Sequence, residues 1–201
     1  MPKTALATRG QHEKAGHRVA EAILNFIGRV PVSDEHKSRN PAERARSIAN
    51  SAAARAALTA GSLALPPGPL GWLTILPELV TVWKIQAQMV SDIAAIYGKD
   101  AALTREQMIY CLFRHLAAQA VRDLVVRVGE RFLVQQVSIR VMQGVAGRVG
   151  ARVTKQAIGK GISRWVPVIG ALGVGAYAYY DTGQVARTAI ELFRHEVEIG
   201  E

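Results

Sequence analysis

Apolar positions recur along this chain at helical spacing, and charged residues fill the gaps between them. From about His12 to Arg29, Val19, Ala20, Ile23, Leu24 and Ile27 mark a first helical face, preceded by a flexible arm over 1–11. Pro31, Ser33 and Asp34 make the following stretch a loop. Asn40-Pro41-Ala42-Glu43 then supplies a cap, a proline at the first helical position and an acid three residues after the cap. The Ala-rich helix that follows must end at Pro66-Pro67-Gly68-Pro69, because proline lacks a donor and clashes with the preceding turn. A longer helix is predicted from about Pro77 to Tyr97, ended by Gly98, with Leu79, Val82, Trp83, Gln86, Met89, Val90, Ile93 and Ile96 along its stripe. Thr104-Arg105-Glu106-Gln107 is a second capping box. Helical spacing continues to about Val149 with a break at Gly129, and a last helix is predicted from near Pro167 to about Glu196. Val125-Val126 falls inside a helical pattern, so no strand is expected.

The predicted fold is all-α: one bundle-like domain over 40–199, an N-terminal helix and loop over 12–37, and a glycine-rich helical hairpin at the C-terminus. Two runs raise the question of a membrane span. Ala56 to Pro77 carries no charge but is broken by the proline cluster, and Trp165 to Tyr180 is uncharged but short. A straight span needs about 20 consecutive apolar residues. Buried or interfacial helices are therefore expected, the small residues Gly170, Gly173 and Gly175 letting helices approach closely.

Composition adds an unusual pairing. Of 201 residues, 49% are hydrophobic and mean hydropathy is positive at +0.11, yet the net charge is +9 and the pI is about 10.1. Such a charge favours anionic partners, whether phosphate backbones, acidic headgroups or an acidic protein. The cations are concentrated: between Glu130 and Asp181 lie Arg131, Arg140, Arg148, Arg152, Lys155, Lys160 and Arg164, with no acid among them. Arg148, Arg152 and Lys155 share one helical face, interleaved with Val149, Val153 and Ile158, and Trp165 follows. A cationic face beside apolar residues and a boundary aromatic suits a helix lying on anionic lipid. The competing reading is a solvated face that keeps an apolar protein soluble. Nucleic acid is the third reading, without a helix-turn-helix, zinc-finger or RNP pattern behind it.

Chemistry is sparsely signalled. Cys111 is the sole cysteine, which excludes an intrachain disulfide and a thiolate zinc site, and no oxidising compartment is indicated. The N-terminal stretch lacks the apolar core of a signal peptide, so a cytoplasmic protein is expected. Cys111 and His115 stand four apart on one helix, but a nucleophile also needs a third, orienting group, which nothing in the sequence names; a core cysteine beside a partly buried histidine is the plainer reading. Gly144, Gly147 and Gly150 match no phosphate loop, and no metal or cofactor signature is present. Glu78, isolated among apolar residues just after Pro77, is read as complementing the dipole of a helix's first turn.

Several stretches together resemble the EcsC family and the related helical domain of YcjF-type membrane proteins and some bacterial GTPases. These are Pro66-Pro67-Gly68-Pro69, Leu76-Pro77-Glu78-Leu79, Gln86-Ala87-Gln88-Met89-Val90 and Ile93-Ala94-Ala95-Ile96-Tyr97-Gly98-Lys99-Asp100, then Val166-Pro167-Val168-Ile169-Gly170-Ala171 and Asp181-Thr182-Gly183. The similarity spans roughly 45–195 and lies in the order and spacing of the motifs. Two departures stand out: Glu78 where aspartate is usual, and Tyr179-Tyr180 where an asparagine often precedes the threonine. The resemblance implies a bacterial, membrane-associated helical domain, sometimes linked to transport or secretion, and makes Pro77, Glu78, Gln86, Tyr97, Gly98, Pro167, Gly170 and Thr182 its motif positions.

The leading expectation is thus a non-catalytic protein at the inner face of the cell membrane. Arg148, Arg152, Lys155, Lys160, Arg164 and Trp165 would engage anionic lipid or a membrane protein, oligomerisation being open. The alternative is a lipid-directed hydrolase or transferase in which Glu78, His115 and Asp181 converge in an apolar pocket.

Overall fold

A computed structural model of the chain describes residues 17–26, 30–63, 71–121, 125–128, 131–134, 139–159 and 167–195. The N-terminal arm, the Pro66–Pro69 cluster, Gly129, Lys160, Arg164 and Trp165 lie outside the described residues, as do the side chains of Pro77, Glu78, Lys155, Pro167 and Gly170. The fold is all-α in class. Helix α1 covers 17–26, α2 Pro41–Leu63, α3 Gly71–Ile96, α4 Arg105–Val121, α5 Ile139–Gly159 and α6 Pro167–His195. A 3₁₀ turn over Asp100–Ala102 links α3 to α4.

One prediction fails between α4 and α5. Val125–Val128 (β1) and Arg131–Val134 (β2) form an antiparallel hairpin, with Val125 opposite Val134 and Val128 opposite Arg131. β-branched and aromatic residues favour an extended, pleated backbone, and this preference wins over the helical spacing around it. The sequence signal was present: a glycine-first pair, Gly129-Glu130, separates two valine-bearing runs.

A second correction concerns α3, which begins at Gly71 rather than at Pro77. Glu78 therefore stands two turns inside the helix. Dipole complementation fades beyond the first turn, so that role does not hold.

The core is built where all six described helices meet. Ile23, Trp83, Met89, Ile93, Met108, Phe113, Val145 and Leu192 form one buried cluster, and Trp83 meets Phe113 edge-on at 5.3 Å. α6 packs most extensively along α2, and α5 packs on α4.

Local chemistry fixes the helix ends. Thr104 and Gln107 form the reciprocal box, with the Thr104 amide donating to Gln107 Oε1 (2.7 Å) and the Gln107 amide to Thr104 Oγ1 (3.3 Å). At α2 the arrangement differs from expectation, because Asn40 Nδ2 donates to the Glu43 carboxylate (2.7 Å). α3 ends in a Schellman motif: Lys99 N–H reaches Ala94 O and Gly98 N–H reaches Ala95 O, both at 2.8 Å. Gly98 adopts φ 71°, where a side chain is strained. The extended segment before α2 crosses this end. The Ser38 amide donates to Ile96 O (3.0 Å), and Ser33 Oγ to Asp92 Oδ1 (2.7 Å).

Gly175 sets the α2–α6 approach. A Cβ there would stand 3.0 Å from the Ala57 carbonyl oxygen, whereas one at Gly173 would meet nothing within 4 Å. We expect Gly175→Ala to destabilise the fold by about 1–3 kcal/mol through overpacking. Gly173→Ala should raise stability by up to about 1 kcal/mol through helix propensity. Urea unfolding of the two variants measures both, and equal effects would show that α2 and α6 are not in close contact at Gly175.

Candidate functional site

The expected cationic helix exists and runs further than predicted. α5 continues to Gly159, so Arg148, Arg152 and Lys155 do share a helix. Its inner side is pinned by buried Met142, Val145, Ala146 and Val149. Arg140, Arg148 and Arg152 are exposed, and none of the three is paired with a carboxylate among the described residues.

α6 supplies a second surface that the sequence only hinted at. Its inner side is buried through Ala178, Asp181, Thr182, Val185, Ala189 and Leu192. Helical geometry then forces Leu172, Ala176, Tyr179 and Tyr180 to the other side. Leu172 is 70% exposed, Tyr180 63% and Tyr179 49%. Leu58 on α2, next to the Ala57–Gly175 crossing, is 76% exposed. The sequence showed an uncharged run here but gave no means of telling its buried face from its open one. Among the described residues no helix is long and apolar enough to cross a membrane.

Inside the bundle, side chains widely separated in sequence converge on Asp181. Gln86 Nε2 donates to Asp181 Oδ2 (2.8 Å) and to Thr182 Oγ1 (3.1 Å), and His115 Nε2 meets Asp181 Oδ1 at 2.6 Å. The Tyr177 phenol donates to the same carboxylate. α3, α4 and α6 are thereby joined through one buried acid. Two of the three catalytic candidates, His115 and Asp181, thus come together with two motif positions, Gln86 and Thr182. Tyr97 and Gly98 instead close the end of α3.

Electrostatics makes the cluster costly to disturb. A carboxylate withdrawn from water must recover its lost hydration from donors, and here Gln86, His115 and Tyr177 provide them. Burial, reinforced by the Asp181 charge and the hydrogen bond to it, pushes the Tyr177 phenol up to about 12. The contact with Asp181 places a proton on His115 Nε2, while His115 Nδ1 is buried with no hydrogen-bond partner among the described residues. Alongside, Arg114 pairs with Glu191 (2.6 Å), a further tie between α4 and α6. α4 bends immediately after, at Ala117 (φ −144°, ψ 51°). Cys111, one turn before His115, is fully buried in the core cluster, as its apolar stripe suggested. Among the described residues no cluster of histidine, cysteine and acidic groups is arranged to hold a metal ion.

Asp181→Ala should cost about 2–5 kcal/mol, because it leaves the interior donors of Gln86 and His115 without their acceptor, and Asp181→Asn should cost less. Chemical denaturation checks the order, and a neutral Asp181→Ala would refute the hub. Tyr177 generates a separate expectation at high pH. A pKa raised on folding means that the neutral phenol is favoured by the fold. Its stabilisation is intact below pH 10 and is lost as pH climbs toward about 12. The stability gap between wild type and Tyr177→Phe should shrink across that window, as read by urea titrations with phenolate absorbance followed in parallel.

Neither protein-family models, nor curated proteins, nor solved structures yield a match to the chain, so the resemblance to the EcsC family stands on its motif residues alone.

Proposed function

We propose that this protein binds reversibly to an anionic membrane surface, at the inner face of the cell membrane, and acts there as a non-catalytic adaptor. The observation that carries the reading is the open face of α5. Arg140, Arg148 and Arg152 project from a helix anchored by its inner side, and no carboxylate among the described residues pairs with them. A cationic face simply keeping the protein soluble would do as well interspersed with acids, yet none occurs from Arg131 to Tyr180. The net charge of +9 draws the molecule toward anionic headgroups over about a Debye length. Each arginine at such a surface contributes on the order of 1 kcal/mol. The EcsC-like motifs point the same way.

Flotation with vesicles tests this. The protein should rise with phosphatidylglycerol-containing vesicles and not with pure phosphatidylcholine. Replacing Arg140, Arg148 and Arg152 with glutamine should weaken binding by about two orders of magnitude, three such contributions at 1.4 kcal/mol per factor of ten. Indifference to lipid charge would reject the reading, and so would tight, salt-steep binding to duplex DNA in place of vesicles.

A second reading rests on one observation, the meeting of His115 with Asp181 beside an Nδ1 that has no partner among the described residues. In it, Asp181 orients the imidazole and Nδ1 accepts a proton from water attacking a lipid ester. Hydrolysis of a short-chain p-nitrophenyl ester should then fall at least tenfold in His115→Gln. A wild-type protein with no hydrolysis above buffer eliminates it.

A further inference from the structure

We infer that the outer face of α6 is a wedge that enters the interfacial layer of an anionic bilayer, its apolar half among the upper acyl chains and its cationic half at the phosphates. The inference rests on the membrane reading above but assigns it a different element and a different force. Along one face of α6 lie Leu172, Ala176, Tyr179 and Tyr180, then Gly183, Arg187 and Arg194. Tyr180, Arg187 and Arg194 are spaced by seven residues, two helical turns apart, so they remain on the same side. The side chains thus change from aliphatic to phenolic to guanidinium in the order that a membrane interface requires from hydrocarbon outward. Arg187 and Arg194 are exposed, and Glu191, the acid nearest them on α6, is already paired with Arg114. A protein partner of mixed charge would not need this one-way grading, whereas a bilayer with phosphates above hydrocarbon does.

The two elements make separable contributions. Attraction between arginines and headgroups is screened by salt, while burial of Leu172, Tyr179 and Tyr180 is not. Binding to phosphatidylglycerol vesicles should therefore keep a salt-resistant component at about 0.5 M salt, where the Debye length is only a few ångström. The combined substitution Leu172→Ser, Tyr179→Ser and Tyr180→Ser should reduce that component at least tenfold, with circular dichroism confirming a wild-type fold. A nitroxide attached at Ala176→Cys gives a reading without removing any apolar side chain, since native Cys111 is buried. On adding vesicles, the label should gain accessibility to oxygen and lose accessibility to a water-soluble nickel chelate. A label that stays aqueous on protein bound to vesicles overturns the wedge while leaving the role of α5 standing. A label shielded from both reagents in the absence of lipid, together with a doubled mass in sedimentation, also overturns it, because a second copy would then cover the face. No binding to the vesicles by wild type overturns the membrane reading itself.

Discussion

The structure turns on one buried carboxylate. Asp181 is 8% exposed, and removing such a group from water is expensive unless its oxygens are matched by donors. The donors come from α3 (Gln86), α4 (His115) and α6 itself (Tyr177), so meeting the hydration debt of one side chain fixes three helices relative to one another. Purely apolar contact tolerates rotation and sliding. Hydrogen bonds to a charge tolerate much less, because a small turn of α6 would leave a buried charge without its partners.

From that constraint follows what α6 shows to the outside. With Asp181 and Thr182 held inward and Gly175 pressed against the Ala57 carbonyl, rotation about the helix axis is fixed at two levels. Leu172, Tyr179 and Tyr180 are then exposed because the inner positions are already committed. Four large apolar or aromatic side chains, counting Leu58, near a helix crossing form the kind of surface that soluble monomers generally keep small. The polar interior and the greasy exterior of this helix are two sides of one solution to a packing problem.

The element sequence of the fold was largely legible, since capping boxes, prolines and periodic stripes act locally. The Thr104–Gln107 box formed as its spacing suggests, and Gly98 closes α3. The failures were local preferences outweighed by context. Pro77 was read as a helix start because proline is at home in a first turn, yet α3 accommodates it in its interior. The valines at 125, 126 and 128 fitted a helical register and a strand equally, and short apolar runs do not decide between them. Of the buried cluster, His115 and Asp181 had been grouped as catalytic candidates and Gln86 and Thr182 as motif positions, with nothing to join the two groups. Their convergence spans about 95 residues of chain, from Gln86 to Asp181, and no periodicity encodes a contact of that range.

Charge and hydropathy finally become compatible once their placement is known. A chain that is apolar on average and carries +9 risks either self-association or indiscriminate adhesion to anions. Here the two properties occupy different places: the core takes aliphatic residues from all six described helices, α5 displays arginines with no acid among its residues, and α6 displays a gradient from leucine through tyrosine to arginine. Electrostatic attraction acts at a distance and is weak per residue; apolar insertion acts only on contact and resists salt. A surface having only the first would bind any polyanion, and one having only the second would aggregate. Their combination discriminates for a partner that is anionic at its surface and hydrocarbon just beneath, a description that a phospholipid bilayer meets and a nucleic acid does not.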